Sequence, residues 1–276
     1  MQEFSSGGVR IAYIDEARGG EPILLLHGFA SNHSVNWVFP QWVKTLTAAG
    51  RRVIALDSRG HGKSEKLYRP EDYAIPEMAD DARNLLDRLD VTRADIMGYS
   101  MGARIATLLA LAHPERVRSL IIGGMSDKLV SSAGLGAEIA EAMEAPSAAD
   151  LKHEGAKMFR LFAEATRSDL KALAACARGA RLKISEAELQ RLDAPVLVAV
   201  GSEDRIAGDA GRLAAKIPGA RALSIPDRDH NRSVGDAVFK DAVLGFLKSR
   251  ALGPVRKALR RMPKRDRRGR LSSEVS

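Results

Sequence analysis

Short apolar runs alternate with helical patterns along nearly the whole chain, which predicts an α/β fold built on a doubly wound, mostly parallel sheet. Two observations support this. The runs are continuously apolar, as in strands buried on both faces. Hydrophobic residues make up 45% of the 276 positions, enough for a sizeable core and too many for a disordered chain.

The strand signals come in order. Val9–Ile14 alternates weakly after a Ser-Ser-Gly-Gly turn. Ile23–Leu26 runs into His27-Gly28, Val53–Leu56 into Asp57-Ser58-Arg59-Gly60, and Ala94–Met97 into Gly98-Tyr99-Ser100. Leu120–Ile122 ends at Gly123-Gly124, Pro195–Val200 at Gly201, and Arg221–Ile225 at Pro226. Helical spacing fills the intervals at Trp37–Ala49, Ile75–Leu89, Met101–Ala112, Asp209–Ile217 and Val234–Leu247. One interval breaks the alternation. Residues 125–193 hold no strand signal but carry Ala-, Leu- and Glu-rich helical patterns, including Ser168–Arg181 and Ser185–Leu192. A helical insertion between two sheet strands reads as a lid over their C-terminal ends. The expected organisation is a core of residues 1–124 and 194–249, a lid of 125–193, and a basic tail of 250–276.

The formal charge of +8 is a property of that tail. Ten of the 43 Lys and Arg, and two of the 35 acids, lie from Arg250 onward, so the body carries 33 of each sign. A nucleic-acid partner is therefore not expected, because such a body would spread basic residues over a working surface. Within the tail, Val255, Leu259 and Met262 recur at helical spacing among Arg256, Lys257, Arg260 and Arg261. A pattern of this kind makes weak contact with anionic membranes. Pro263 cuts it short, and a solvated tail is the preferred reading. A single cysteine, Cys176, excludes an intrachain disulfide framework and a Cys-rich zinc site. With no membrane-length apolar run and no signal-peptide core at Met1–Arg10, a cytoplasmic protein is expected.

The strongest chemical signal is Gly98-Tyr99-Ser100-Met101-Gly102, between a strand pattern and an apolar helix pattern. That is the setting of a nucleophile elbow, where a hydroxyl stands proud on a strained turn between glycines. The helix N-terminus below offers free N–H groups and a positive dipole end. Acyl transfer also needs two donors for the developing oxyanion. The Met101 amide is one. The Phe29 amide, in the loop His27-Gly28-Phe29, is the other, with His27 itself packing that loop. A base following the nucleophile in the chain must be His113, His153 or His230. His113 ends the helix after Ser100 and His153 falls in the lid. His230, in the polar loop after the last strand, is preferred. For the acid that orients it, Asp204 past the penultimate strand is preferred, with Asp127 as rival and Glu203 as a weaker one. Asp57–Ser64 fails as a phosphate loop, because Asp57 stands where the pattern needs glycine.

Taken together, His27-Gly28-Phe29, Asp57–Ser64, Gly98–Gly102, Gly201-Ser202-Glu203-Asp204 and Asp229-His230 resemble the α/β-hydrolase superfamily in order and spacing. The resemblance spans residues 23 to 230 and implies an eight-stranded sheet with a small helical lid. It implies Ser100 as nucleophile, His230 as base, Asp204 as orienting acid, oxyanion donors at Phe29 and Met101, and no metal or cofactor. The branch it resembles includes esterases, enol-lactonases, carbon–carbon bond hydrolases and cofactor-free haloperoxidases. Serine at position 100 argues against the dehalogenase and epoxide hydrolase branches, which use aspartate there. The expected reaction is cleavage of a small carboxylic ester or lactone through an acyl-enzyme. Carbon–carbon cleavage, haloperoxidase chemistry and a non-catalytic ligand-binding module are the alternatives. Phe29, Trp37, Met101 and Met125 are the expected substrate-lining residues.

Overall fold

The computed structural model describes residues 1–250, the side chain of Arg250 excepted. The basic-tail reading of 250–276 therefore falls essentially outside the described residues.

Eight strands form one sheet: β1 (Gln2–Ser6), β2 (Val9–Glu16), β3 (Glu21–Leu26), β4 (Arg51–Leu56), β5 (Ala94–Tyr99), β6 (Val117–Gly123), β7 (Val196–Gly201) and β8 (Arg221–Ile225). Their order across the sheet is β1-β2-β4-β3-β5-β6-β7-β8. β2 pairs antiparallel with β1 and β4, and every other pairing is parallel. The sheet is thus mostly parallel, as the continuous apolar runs predict. Side chains alternate between its faces. Leu24, Leu26, Ile54, Ile96, Leu120 and Ile122 join one buried cluster, whereas Ile23, Leu25, Val53, Met97 and Ile121 join the other.

β1 is the strand that pattern reading did not enumerate. Its residues are mostly exposed, because it is an edge strand with a single neighbour, so no apolar run marks it. Gly7 and Gly8, at φ +56° and +85°, turn it into β2, and Phe4 meets Tyr13 edge-on at 5.9 Å.

The helices are α1 (Trp42–Ala48), α2 (Ile75–Arg88), α3 (Met101–Ala112), α4 (Lys128–Ser131), α5 (Ala137–Glu144), α6 (Glu154–Ala165), α7 (Leu170–Gly179), α8 (Glu186–Leu189), α9 (Ala210–Ala214), α10 (His230–Ser233) and α11 (Ala237–Arg250). α2 and α3 cover one face of the sheet and α1 and α11 the other. The single helix expected over Trp37–Ala49 is broken. A π-helical turn takes Ser34–Val38, Pro40 interrupts, and Gln41 sits at φ +67° before α1 begins. Proline lacks the N–H that a continuing helix needs, and the left-handed backbone at Gln41 separates the π-helical turn from α1.

Helices α4 to α8 fill the interval between β6 and β7. Arg104 of α3 ties this segment down: its guanidinium donates to the carbonyls of Lys128, Leu129 and Leu182, near the segment's two ends. Burial without a carboxylate partner lowers its pKa to about 10. No helix among the described residues is long and apolar enough to cross a membrane.

The turn after β4 braces the loop after β3. Asp57 accepts the His33 amide (2.7 Å), the His33 ring Nδ1 (2.8 Å) and the Lys63 amide (2.8 Å). A carboxylate thus already occupies the amides that a phosphate loop would offer. Burial raises the Asp57 pKa, but the His33 hydrogen bond and nearby imidazoles outweigh it and hold it at about 2. Arg59 clasps Asp81 through two buried bonds of 2.8 and 2.9 Å. His27 Nε2 accepts the Ser58 amide at 2.9 Å, so its Nδ1 carries the proton donated to the Gly28 carbonyl. Burial lowers the His27 pKa and, helped by the His27 ring, holds that of His61 at about 3.

Both imidazoles are neutral in the fold, with pKa values below the 6.5 of an unfolded chain. Between those limits the unfolded chain binds more protons, so stability falls as pH drops. Urea midpoints measured from pH 7 to pH 4 are expected to decline steadily, and a His61→Gln variant to decline less steeply. Equal slopes for the two proteins would refute this account.

Candidate active site

The site starts from a strained turn. Ser100 connects β5 to α3 at φ +54° and ψ −114°, a region that non-glycine residues rarely adopt. Its amide is held by the Gly123 carbonyl at 2.8 Å. The flanking glycines are steric necessities. A Cβ on Gly98 would lie 2.1 Å from the Gly102 carbonyl oxygen, and one on Gly102 would lie 2.0 Å from the Leu26 oxygen. α3 therefore packs backbone to backbone against the end of β3. Directly after that strand end, Gly28 abuts the serine: a Cβ there would meet the Ser100 Cβ at 3.3 Å. The Phe29 and Met101 amides directly follow these two residues in the chain, and no acceptor among the described residues takes either of them.

His230 begins α10, a helical turn where a loop is expected, capped by the Asp229 carboxylate on the amides of Asn231 and Arg232. Its Nδ1 meets Asp204 Oδ2 at 2.8 Å. The other oxygen of Asp204 accepts the amides of Ile206 (3.0 Å) and Ala207 (2.8 Å), so the carboxylate is fixed on both sides. Asp204 is 4% exposed and His230 8%. The Tyr99 phenol donates to the His230 carbonyl at 2.5 Å, and the two rings lie 5.3 Å apart. The residue before Ser100 thus anchors the backbone of His230. Burial, with the Asp204 charge nearby, raises the Tyr99 pKa well above its usual value and keeps the phenol a donor.

Ser100 and His230 line one cleft of about 190 Å³. Phe29, Val35, Pro40 and Val234 come from the core, and Met158, Phe159 and Phe162 from α6. Phe29 meets Phe159 edge-on at 5.9 Å. The remaining lining residues are Gly28, Ser31, Asn36, Tyr99 and Asn231, so among the described residues the lining carries no Lys, Arg, Asp or Glu.

Of the expected lining residues, Phe29 is in this cleft and three are elsewhere. Trp37 is fully buried on the opposite face of the sheet, edge-on to Trp42 at 6.4 Å. The Met101 side chain packs beneath α7, its sulfur 3.9 Å from the Cys176 sulfur. Met125 is partly buried against the larger hydrophobic cluster and is not among the residues that line the cleft. The period of a broken helix misplaces Trp37, and the elbow turns the Met101 side chain away from its own amide. Asn36, Ser31, Met158, Phe159 and Phe162 line the cleft without an apolar or catalytic motif in the sequence to mark them. Phe159 and Phe162, one helical turn apart, are the only aromatic residues of 125–193, a signal that was available.

The rival acids are placed apart from the imidazole. The Asp127 carboxylate lies by Gly208 and 3.9 Å from Arg212, and Glu203 is exposed. His113 is near Asp80 and Glu115 at the surface, and His153 caps α6 by accepting the Ala156 amide. Among the described residues no three His, Cys, Asp or Glu side chains converge as a metal site.

A family model described as the alpha/beta hydrolase fold matches residues 21–150. The dihydrolipoyllysine-residue acetyltransferase component of the acetoin cleaving system of Pseudomonas putida is 33% identical over 233 residues, 77% of this chain and 59% of that protein. The 2-hydroxymuconate semialdehyde hydrolase of Pseudomonas sp. strain CF600 is 35% identical over 158 residues, 55% of this chain and 52% of that protein. The chain thus spans little more than half the length of these two relatives. Among solved structures, a hydrolase from Pseudomonas aeruginosa PA01 superposes with a TM-score of 0.71 at 26% identity, covering 89% of this chain and 97% of that one.

Two substitutions probe the geometry. Gly102→Ala forces a methyl group into the Leu26 backbone and is expected to cost about 3 kcal/mol or more, measured by chemical denaturation. Tyr99→Phe is expected to lower stability by about 1–2 kcal/mol and to broaden the His230 Nδ1–H proton resonance. An unchanged resonance would refute the anchoring role.

Proposed function

We propose that this chain, a member of the α/β-hydrolase superfamily, is a serine hydrolase that cleaves a small, uncharged carboxylic ester or lactone. The observation that carries this reading is the His230–Asp204 bond beside a strained Ser100 that shares the imidazole's cleft. With its proton on Nδ1 facing Asp204, the imidazole has a free Nε2. That nitrogen takes the Ser100 proton as the hydroxyl oxygen attacks the carbonyl carbon. The oxyanion so formed is met by the Phe29 and Met101 amides, which have no other acceptor among the described residues. The imidazolium, stabilised by Asp204, returns its proton to the leaving alcohol, and the acyl-enzyme remains. A water deprotonated by His230 then releases the acid and restores Ser100.

The cleft itself narrows the substrate. A volume of about 190 Å³ lies below the usual range for drug-sized ligands. Carbon–carbon cleavage of substrates such as 2-hydroxymuconate semialdehyde, named for one relative, involves an anion, and among the described residues this lining offers no cation to pair with it. A pure binding module has no use for a carboxylate-oriented base beside a strained hydroxyl.

A fluorophosphonate probe is expected to label the wild-type protein and not Ser100→Ala. Short-chain p-nitrophenyl esters are expected to be hydrolysed, with kcat lower by about 10⁴ in Asp204→Asn and by about 10⁶ in His230→Gln. Unlabelled, folded wild type would replace this reading with the binding module. Turnover of 2-hydroxymuconate semialdehyde with esters untouched would replace it with carbon–carbon cleavage.

A further inference from the structure

Two polar groups in the cleft wall have no use in the scheme above. Ser31 is 3% exposed and Asn36 5%, and both line the cleft. The Ser31 hydroxyl and the Asn36 side-chain nitrogen have no hydrogen-bond partner among the described residues. The orientation of the Asn36 amide is chemically forced. The Gly28 N–H, a donor, meets it at 3.0 Å, so that side must be the oxygen, and the NH2 group must face away. Two N–H donors and a hydroxyl are thereby held in a largely apolar wall, screened from water. Buried polar groups are nearly always satisfied, and a pair left open in one cleft marks a place where a ligand completes the set.

We propose that Ser31 and Asn36 form a subsite for a second oxygen of the substrate, a neutral acceptor on the acyl side. This rests on the hydrolase reading above. Three considerations define the ligand. Donors call for an acceptor, and the absence of Lys and Arg from the lining among the described residues favours an uncharged oxygen over a carboxylate. Asn36 is bonded to Gly28, which itself abuts Ser100, so the subsite is on the oxyanion side of the nucleophile. The leaving group must face His230 to receive its proton, which leaves the acyl portion for Ser31 and Asn36. Gly28 alone separates Asn36 from the serine, so the acceptor is a few bonds from the reacting carbonyl. Esters or lactones with an oxo, hydroxy or alkoxy group at the second or third acyl carbon fit this description. A hydrogen bond in a site screened from water discriminates strongly, because a substrate without the oxygen leaves the donors unpaired.

Methoxyacetate and butyrate esters test this, because an ether oxygen replaces one methylene with little change of shape. In the full-length Ser100→Ala protein, which binds without turnover, the Asn36 side-chain NH2 resonances are expected to shift with methyl methoxyacetate and not with methyl butyrate. Equal responses, or none, would overturn the subsite whatever the protein's activity. In the Ser100 enzyme, the ratio of kcat/KM for p-nitrophenyl methoxyacetate over butyrate is expected to fall about five- to tenfold in Ser31→Ala. It is expected to fall at least as far in Asn36→Asp, which keeps the oxygen bonded to Gly28. The ratio cancels intrinsic ester reactivity. Variants that slow both esters equally would make Asn36 an aid to the oxyanion rather than a reader of the acyl group, and would overturn the proposal. Hydrolysis of neither ester would count against the hydrolase reading, with the resonance experiment still deciding the subsite.

Discussion

The site depends on a contact between backbones that leaves no room for a side chain. α3 approaches the end of β3 so closely that Gly102 sits against the Leu26 carbonyl, and the same approach brings Gly98 against Gly102. The turn that joins β5 to α3 must then be sharp, and Ser100 takes the positive φ that such a turn requires. The cost of that conformation, about 1–3 kcal/mol, is offset by the two buried elements it joins. β5 is buried along its whole length and most of α3 is buried with it. The strain is therefore held by the strongest part of the molecule, and the hydroxyl is presented by a rigid support.

The groups around Ser100 are fixed with similar economy. Asp204 spends one oxygen on backbone amides and the other on His230, so the imidazole has one available tautomer and one available orientation. Tyr99 ties the His230 backbone to the strand that carries the serine. Behind the Phe29 loop, His27 and Asp57 serve as hydrogen-bond acceptors for loop amides. Their pKa values are displaced in the direction that keeps them acceptors near neutral pH. The polar residues of this region thus divide into those that brace loops and those that face the cleft. Ser31 and Asn36 stand on the boundary, since Asn36 does both.

The helical segment between β6 and β7 supplies the remaining wall. Its α6 contributes Met158, Phe159 and Phe162, and Arg104 holds its two ends to α3. The cleft is small, mostly apolar and, among the described residues, without Lys, Arg, Asp or Glu, while hydrogen-bonding groups are concentrated on the core side. The buried polar groups of the cleft thus come from the sheet side, and Met158, Phe159 and Phe162 of the insertion add apolar wall. Changing the insertion would alter what fits while leaving the hydroxyl and the imidazole in place.

The layered α/β architecture was legible in the sequence, because burial on both faces of a parallel strand forces a continuous apolar run. The elbow was legible too, since close backbone approach admits only glycine on either side of Ser100. Edge strand β1 was not, because half-exposed backbone pairing leaves no apolar record. Nor was the break before α1, where Pro40 and Gln41 overrode an apolar spacing that pointed to one helix. Sequence order put Ser100, Asp204 and His230 forward but left Asp127 open. Only the folded chain showed that the Asp204 carboxylate reaches the imidazole and that Asp127 turns toward Gly208 and Arg212. The lining of the cleft was decided by tertiary structure alone. Trp37 and Met125 have the composition of lining residues, yet the face on which a side chain emerges depends on a local backbone angle and on neighbours distant in the chain. Residue type and spacing record the periodic part of a structure, whereas a cleft is made where elements of different period meet.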